Sequence, residues 1–424
     1  MSAPRRPILI VGLNYAPEMV GIGPYTAAMA QSLAARGHRV KAIVGKPYYP
    51  QWRAFGGYKV SHWLPSVEEG VSLTRCSHYI PAQPTGFRRI AHLVSFALSA
   101  LPVAIIAAFR QKPDLVICIA PALLSVPVAW LAARLARAKL WIHVQDFEVE
   151  AAFATGLVPS AGLAARLARS AENRLLALAD RVSTISPQMC TKLAEKGVFV
   201  ERIVELRNWA DSSFLPDPAN GEAYRAEWGI GARHVALYSG NIANKQGIEI
   251  LIEAAKLLAG RQDILFVICG QGPNHARLET LATGLANVQL HDLQPAPRMG
   301  ELLALASVHL LPQIAGAADL VLPSKLTNML ASGRPVVATA LPGSGLYGEV
   351  EGCGVCVPPG DAQALVTAVA NLCDDAAQRA KFGENARNRA GKRWSREPII
   401  GRMEREIEAL FSPISDRTLV GDRP

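Results

Sequence analysis

Apolar residues along this chain come in short solid runs separated by segments of helical period, and that rhythm predicts strands alternating with helices. PILIVGLNY opens the series as a parallel strand buried on both faces. TAAMAQSLAARG follows at helical spacing, with Pro24 near its first turn and Gly37 at its stop. HRVKAIVG, DLVICIA, KLWIHV and RVSTIS read as further strands, with helices such as PVAWLAARLAR and GLAARLARSAENRLLALA between them. Such alternation predicts a doubly wound parallel sheet with ligands at the carboxyl ends of its strands.

The rhythm fails at NWADSSFLPDPANGEAY, where Pro, Asn, Asp and Gly crowd together, and this is the expected linker. A second alternating set then runs through HVALYSG, IEILIEAAKLLAG, ILFVICGQG, HARLETLA, VQLHDL, ELLALAS, VHLLPQ, KLTNMLASG and PVVATA. A chain of 424 residues is too long for one ordinary core, so two units of this kind account for its length. The expected fold is α/β, with two Rossmann-like doubly wound parallel-sheet domains, residues 1–207 and 208–395, facing across a cleft that suits a sizeable ligand. No repeat of solenoid length is present.

One segment departs from this pattern. Ala91 to Phe109, AHLVSFALSALPVAIIAAF, is almost uncharged and is flanked by Arg88 and Arg89 before it and Arg110 and Lys112 after it. Its apolar core is short for a membrane span, and Pro102 sits in its middle. Basic flanks at both ends favour a helix lying in a membrane interface, residues 88–112 being the membrane-facing segment. A buried helix of the first domain and a true span are the other readings, and the strand-like PDLVICIAP that follows at once suits the buried one.

Composition narrows the classes. With 19% charged and 50% hydrophobic residues the chain is not a disordered one. Residues 1–210 hold 24 Lys and Arg against 12 Asp and Glu, a net +12, whereas the remainder is at −3. The first half therefore suits an anionic partner, a membrane surface or a phosphate-bearing acceptor. Nucleic acid is not expected, because the basic residues are not interleaved with aromatics and no nucleic-acid motif occurs. The seven cysteines are scattered, and Cys353 with Cys356 lacks the second pair a zinc site needs, so neither metal nor other cofactor is expected. A reducing compartment fits this usage. The apolar run in MSAPRRPILIVGLNYAPE is shorter than a signal-peptide core and lacks a small-residue cleavage site, which argues against export by that route.

Four stretches could carry chemistry. In PEMVGIGPYTAAMA, Gly21 and Gly23 precede a helix and can bring backbone N–H groups to an anion, although a simple turn reads the same way. Thr26 stands where a dinucleotide fingerprint has its third glycine, which counts against a nicotinamide enzyme. In KLWIHVQDFEVEAA, His143 ends a strand and Asp146 follows it, so both are placed to address a ligand, with a structural His143 as the alternative. In SGNIANKQGIEI, Asn241 or Lys245 could reach a diphosphate, or Lys245 could be a solvated surface residue. In ADLVLPSKLTNMLASGRPVVATA, Ser324 is placed to cap a helix whose first turn holds Lys325, a cation set against the helix dipole. An anion at that helix end removes the conflict, and Asn328, three residues on, could bind ribose hydroxyls.

Together these stretches resemble family four of the retaining glycosyltransferases, which have the GT-B architecture. The resemblance runs through GIGPYTAAMAQSLAARGHRV, His143, LRNWADSSF, SGNIANKQGIEILIEAA, CGQGPNHARLE, NVQLHDLQP and LTNMLASGRPVVATALPGSG. NYAPEMVGIGPYT, QDFEVEAAF and PSKLTNMLASGRPV are most similar to the colanic acid, exopolysaccharide-forming branch, read as fucosyl- or related sugar transferases. The resemblance implies a metal-independent hexosyl transfer from a GDP- or UDP-linked sugar to a polyprenyl-diphosphate-linked saccharide, at the cytoplasmic face of the plasma membrane and in peripheral contact with anionic lipid. It implies that His143 contacts the donor sugar, Lys245 the diphosphate, and that Gly270, Gly272 and Leu293 border the nucleotide. Gly21 and Gly23 lie beside diphosphate and acceptor on this reading, and residues 396–424 return as a helix to the first domain before a tail.

The chain also departs from that family. Where the family commonly has a Glu, seven residues and a second Glu, this sequence has Leu320 and Asn328, with Asp319 beside the first. The usual Arg and Lys of the diphosphate loop fall on Asn241 and Gln246. Asp319 and Lys325 are expected to compensate, with Asp319 joining His143 and Asp146 as the catalytic set. A nucleotide-sugar epimerase and a catalytically inactive nucleotide-sugar binder are the competing functions.

Overall fold

The computed structural model describes residues 5–18, 21–59, 61–83, 86–121, 123–147, 149, 162–210, 221–242, 246–314, 323 and 325–412. The chain forms two units, Met1–Arg207 with Glu397–Pro424, and Asn208–Arg396.

The first unit is built on an eight-stranded sheet of order β3-β4-β2-β1-β5-β6-β7-β8. Its strands are β1 Pro7–Gly12, β2 Arg39–Gly45, β3 Leu64–Glu68, β4 Val71–Cys76, β5 Leu115–Ala120, β6 Lys139–Val144, β7 Arg181–Thr184 and β8 Ile203–Glu205. All pairs are parallel except the β3–β4 hairpin. Solid apolar runs make the central strands β1 and β5 almost fully buried, as a sheet covered on both faces requires.

Helix α1, Gly23–Ala35, starts with Pro24 in its first turn, where a missing N–H is no loss. Its end follows from Gly37, whose φ of +94° lets its N–H reach Ala34 O while the His38 N–H reaches Leu33 O. Helix α2, Gly86–Gln111, packs against α3, Val126–Ala136. It begins two residues before the segment expected from the sequence and runs through Pro102. One face of α2, with Phe96, Ala100, Val103, Ala104, Ala107 and Ala108, belongs to the same core as Leu9, Val116 and Ile142. Its other face exposes Phe87, Ile90, Val94, Leu98, Ile106 and Phe109.

The helix Arg396–Phe411 packs in this unit through Ile400, Met403, Ile407 and Leu410, spaced at helical period. Arg36 pairs with Glu397 and Glu404 of that helix, Arg181 with Glu406, and Arg6 lies over the Phe411 ring.

The second unit carries a six-stranded, wholly parallel sheet of order β11-β10-β9-β12-β13-β14. Its strands are β9 His234–Ser239, β10 Ile264–Cys269, β11 Val288–His291, β12 Val308–Leu311, β13 Val336–Thr339 and β14 Gly354–Val357. Strand order reverses at β1 in the first sheet and at β9 in the second, so the loops after these strands are where ligands of such sheets sit.

Candidate active site

In the second unit the loops after β9 and β10 lie in direct backbone contact. Gly240 N–H donates to Cys269 O at 2.9 Å, and Ile242 N–H to Gln271 O at 2.9 Å. Glycine is required by this approach. A Cβ on Gly270 would lie 1.9 Å from Gly240 O, and one on Gly272 would lie 2.2 Å from Ile242 O and 2.7 Å from Asn241 Oδ1. Asn241 is exposed beside them, and Leu293, just past β11, is exposed as well.

Lys325 begins the short helix Lys325–Ala331 and is half-buried. Its ammonium donates to the Tyr238 hydroxyl at 2.8 Å and lies 4.2 Å from that ring's centroid. Tyr238, at the end of β9, in turn donates to Asn241 O at 2.6 Å. The ammonium is thereby held over the start of the β9 loop, 2.9 Å from where a Gly240 Cβ would stand. Asn241, Gly270, Gly272 and Lys325 thus come together at the carboxyl ends of β9 and β10. Asn328 is half-buried one turn further along the helix. Lys245, Asp319 and Ser324 lie outside the described residues.

Gly270→Ala is expected to separate these two loops, lowering stability by about 1–3 kcal/mol as overpacking does and weakening nucleotide binding with it. Gly260→Ala, which meets nothing within 4 Å, is the matched control. Thermal melting and nucleotide titration of the two variants check this.

In the first unit His143 is the penultimate residue of β6, and it is buried, with 2% exposed. Its Nδ1 lies 2.8 Å from Ser183 Oγ on the neighbouring β7, and its Nε2 lies 3.1 Å from the Gln145 amide nitrogen. The Trp141 indole N–H donates to the same Ser183 Oγ at 2.7 Å. With the Gln145 amide donating, Nε2 is the acceptor and the imidazole is the neutral Nδ1–H form. Burial pushes its pKa down to about 4, so at neutral pH the ring is neutral, with Nδ1 engaged by Ser183 and Nε2 by Gln145. Asp146 is half-buried two residues past the strand, and its Oδ1 accepts from the Phe147 N–H at 2.8 Å.

That depression has a consequence for stability. The folded protein holds His143 neutral down to about pH 4, whereas the unfolded chain takes up the proton near pH 6.5. Stability contributed by the neutral form is therefore complete above pH 6.5 and is lost as pH falls towards 4, by up to about 3 kcal/mol. Melting temperature should fall across this window, and His143→Gln should make the fall shallower.

Gly21 has φ +75°, and Gly23 opens α1. The sequence does not single out Glu18, which organises this loop. Its Oε1 accepts from the Tyr48 and Tyr49 N–H groups at 3.0 Å each, and its Oε2 from Asn14 Nδ2 at 2.9 Å. A Cβ on Gly23 would stand 3.0 Å from Oε2, so an anion already stands close to the start of α1. Among the described residues, no group of three or more His, Cys, Asp or Glu side chains could hold a metal ion.

Comparison with known proteins adds to this geometry. Residues 20–209 match the family described as Glycosyl transferase 4-like domain, and residues 221–389 match Glycosyl transferases group 1. A protein of Escherichia coli (strain K12) that is named as a colanic acid biosynthesis glycosyl transferase, WcaI, is 41% identical over 373 residues, 85% of this chain and 91% of its own. Alpha-D-kanosaminyltransferase of Streptomyces kanamyceticus is 33% identical over 194 residues, 44% of this chain and 49% of its own. Of solved structures, sucrose-phosphate synthase from Thermosynechococcus elongatus matches 96% of this chain and 99% of its own, with a TM-score of 0.74 at 20% identity. Anabaena HepE in complex with UDP matches 95% of this chain and 100% of its own, with a TM-score of 0.70 at 18% identity. At these identities the two structures speak for the fold alone.

Proposed function

The chain belongs to the GT-B glycosyltransferases related to the colanic-acid branch, and from that premise we propose that it transfers a sugar from a nucleoside diphosphate to a lipid-linked saccharide during exopolysaccharide assembly. The transfer retains anomeric configuration and uses no bound metal. The second unit takes the GDP- or UDP-linked donor, with Lys325 and Lys245 on the diphosphate, Asn241 and Ser324 beside it, the Gly270 and Gly272 loop with Leu293 along the nucleotide, and Asn328 on the ribose. The first unit takes the acceptor near Gly21 and Gly23. On this reading the neutral His143 exchanges its Gln145 partner for the donor sugar and orients it by hydrogen bonding, with Asp146 and Asp319 completing the set.

The observation that carries this reading is the pair of contacting glycine loops with a lysine ammonium held over them, a surface where backbone and one cation can meet a diphosphate without side chains intervening. The test is heat protection by a panel of nucleotide sugars, GDP-fucose first. At a hundred times its Kd a true donor stabilises the fold by about 2.7 kcal/mol, a rise of roughly 5–10 °C for a domain of this size. If no nucleotide sugar raises the melting temperature, the reading is wrong.

Placement at the cytoplasmic face of the plasma membrane, in peripheral contact with anionic lipid, is part of the same proposal. It is supported by the exposed apolar face of α2 between Arg88 with Arg89 and Arg110 with Lys112.

A further inference from the structure

Lys46 stands immediately after β2, at the carboxyl end of the first unit's parallel strands, and only 4% of it is exposed. Its ammonium donates to the Ser77 hydroxyl, just past β4, at 3.0 Å. No carboxylate among the described residues pairs with it, and burial alone pushes its pKa down. An ammonium has three donors, so one neutral acceptor leaves a desolvated charge without balance.

The surrounding side chains do not supply that balance. The Lys46 N–H reaches His78 Nδ1 at 3.4 Å, and the His78 ring lies 5.0 Å from that of His92 in the second turn of α2. Both imidazoles are held neutral by burial, His78 down to about 3 with the Lys46 charge adding to the effect. His92 donates from Nδ1 to Tyr79 O at 2.5 Å, which leaves its buried Nε2 as an acceptor without a partner. Tyr48 and Trp52 close the cluster, with ring centroids 4.7 and 5.2 Å from His92. Glu18 is turned to the Tyr48 and Tyr49 N–H groups and to Asn14, and makes no ion pair with Lys46.

We propose that Lys46, with Ser77 beside it, binds an oxyanion of the acceptor, either the diphosphate of a lipid carrier or the carboxylate of an acidic sugar. This rests on the glycosyl-transfer reading, in which the first unit takes the acceptor. An ammonium is a point charge that serves phosphate and carboxylate alike. The half-buried Trp52 ring suits the C–H face of a sugar ring, and the His92 Nε2 lone pair suits a sugar hydroxyl. Arg88 and Arg89, one turn before His92 on α2, add positive field at this end of the sheet.

Lys46→Met separates a binding lysine from a structural one. Methionine fills much of the same volume, and removing an unbalanced buried charge should leave the melting temperature unchanged or higher. Lys46→Gln, which can keep a hydrogen bond to Ser77 and loses only the charge, is the second variant. Binding is followed by tryptophan fluorescence with saturating UDP or GDP present, so that the donor site is filled. The probes are farnesyl diphosphate and methyl glucuronide, with farnesol and methyl glucoside as their neutral counterparts.

One anionic probe should bind the wild type at least tenfold tighter than its neutral counterpart, and both variants should lose tenfold or more for that probe alone. Preference for farnesyl diphosphate assigns the oxyanion to the lipid carrier, and preference for methyl glucuronide assigns it to an acidic sugar. Variants that bind both anionic probes as the wild type does overturn the proposal, as does a wild type with no preference for either anion. If nucleotide sugars still protect the protein from heat, only this inference has failed; loss of that protection in the wild type removes the glycosyl-transfer reading itself.

Discussion

Lys325→Ala is expected to weaken binding of the nucleoside diphosphate by about 10–100-fold, the range of a charge-assisted hydrogen bond worth about 1.5–3 kcal/mol. The sequence points to this lysine because a cation in the first turn of a helix opposes the dipole unless an anion is near. The geometry gives a second reason. Its ammonium is turned onto the Tyr238 hydroxyl and ring, over the start of the β9 loop. A diphosphate oxygen is a stronger acceptor than a phenol, so the same side chain can exchange one partner for the other with little movement. The fold should survive, since alanine has higher helix propensity than lysine and the residue is only half-buried. Tyr238→Phe removes the competing hydroxyl, together with its hydrogen bond to Asn241 O, but keeps the Lys325 charge and should change affinity far less. Calorimetric titration with UDP and GDP checks both variants, and an unchanged affinity in Lys325→Ala would move the diphosphate to another surface.

Legibility in the sequence follows from how local each cause is. β1, β5 and β10 are unbroken apolar runs, and burial on both faces leaves no other pattern. The β3–β4 hairpin escapes such a reading. β3 is an exposed edge strand containing Pro65, and β4 hides a buried Arg75 whose Nη2 donates to both Glu68 carboxylate oxygens across the hairpin at 2.9 and 3.0 Å. α2 defeats a choice between buried and interfacial because it is buried on one face and exposed and apolar on the other.

The candidate site divides in the same way. Gly270 and Gly272 stand out as glycines, but the need for them arises from contact with a loop some thirty residues earlier in the chain. His143 is visible at a strand end, while Ser183, which fixes its ring, comes from the next strand forty residues on. Lys46 in GKPYYP resembles any surface lysine until the sheet brings Ser77 and His78 beside it.

Wild-type protein is expected to float with anionic vesicles at low salt, and replacing Arg88, Arg89, Arg110 and Lys112 together by Gln should release most of it. Each well-placed cation contributes roughly 1 kcal/mol at an anionic surface, so four together change partitioning on the order of a thousandfold. The apolar part of the contact is the exposed stripe of α2, where Phe87 is 80% and Leu98 65% exposed, with Ile90, Val94, Ile106 and Phe109 continuing it. Trp63 and Trp130 are exposed too, and Trp63 donates its indole N–H to Ser99 O of α2 at 3.2 Å, which suits a ring at the headgroup level. Spanning is a poor alternative for the folded unit, because Phe96, Ala100, Ala104 and Ala107 would have to leave the core they share with β1 and β5. High salt should therefore detach the wild type in part, as it cannot detach a span. Heat protection by the nucleotide sugar should be the same in the four-residue variant, because the proposed donor surface belongs to the other unit. Wild type that stays at the bottom of the gradient at low salt would remove the interfacial role and leave α2 as a core helix with an apolar outer face.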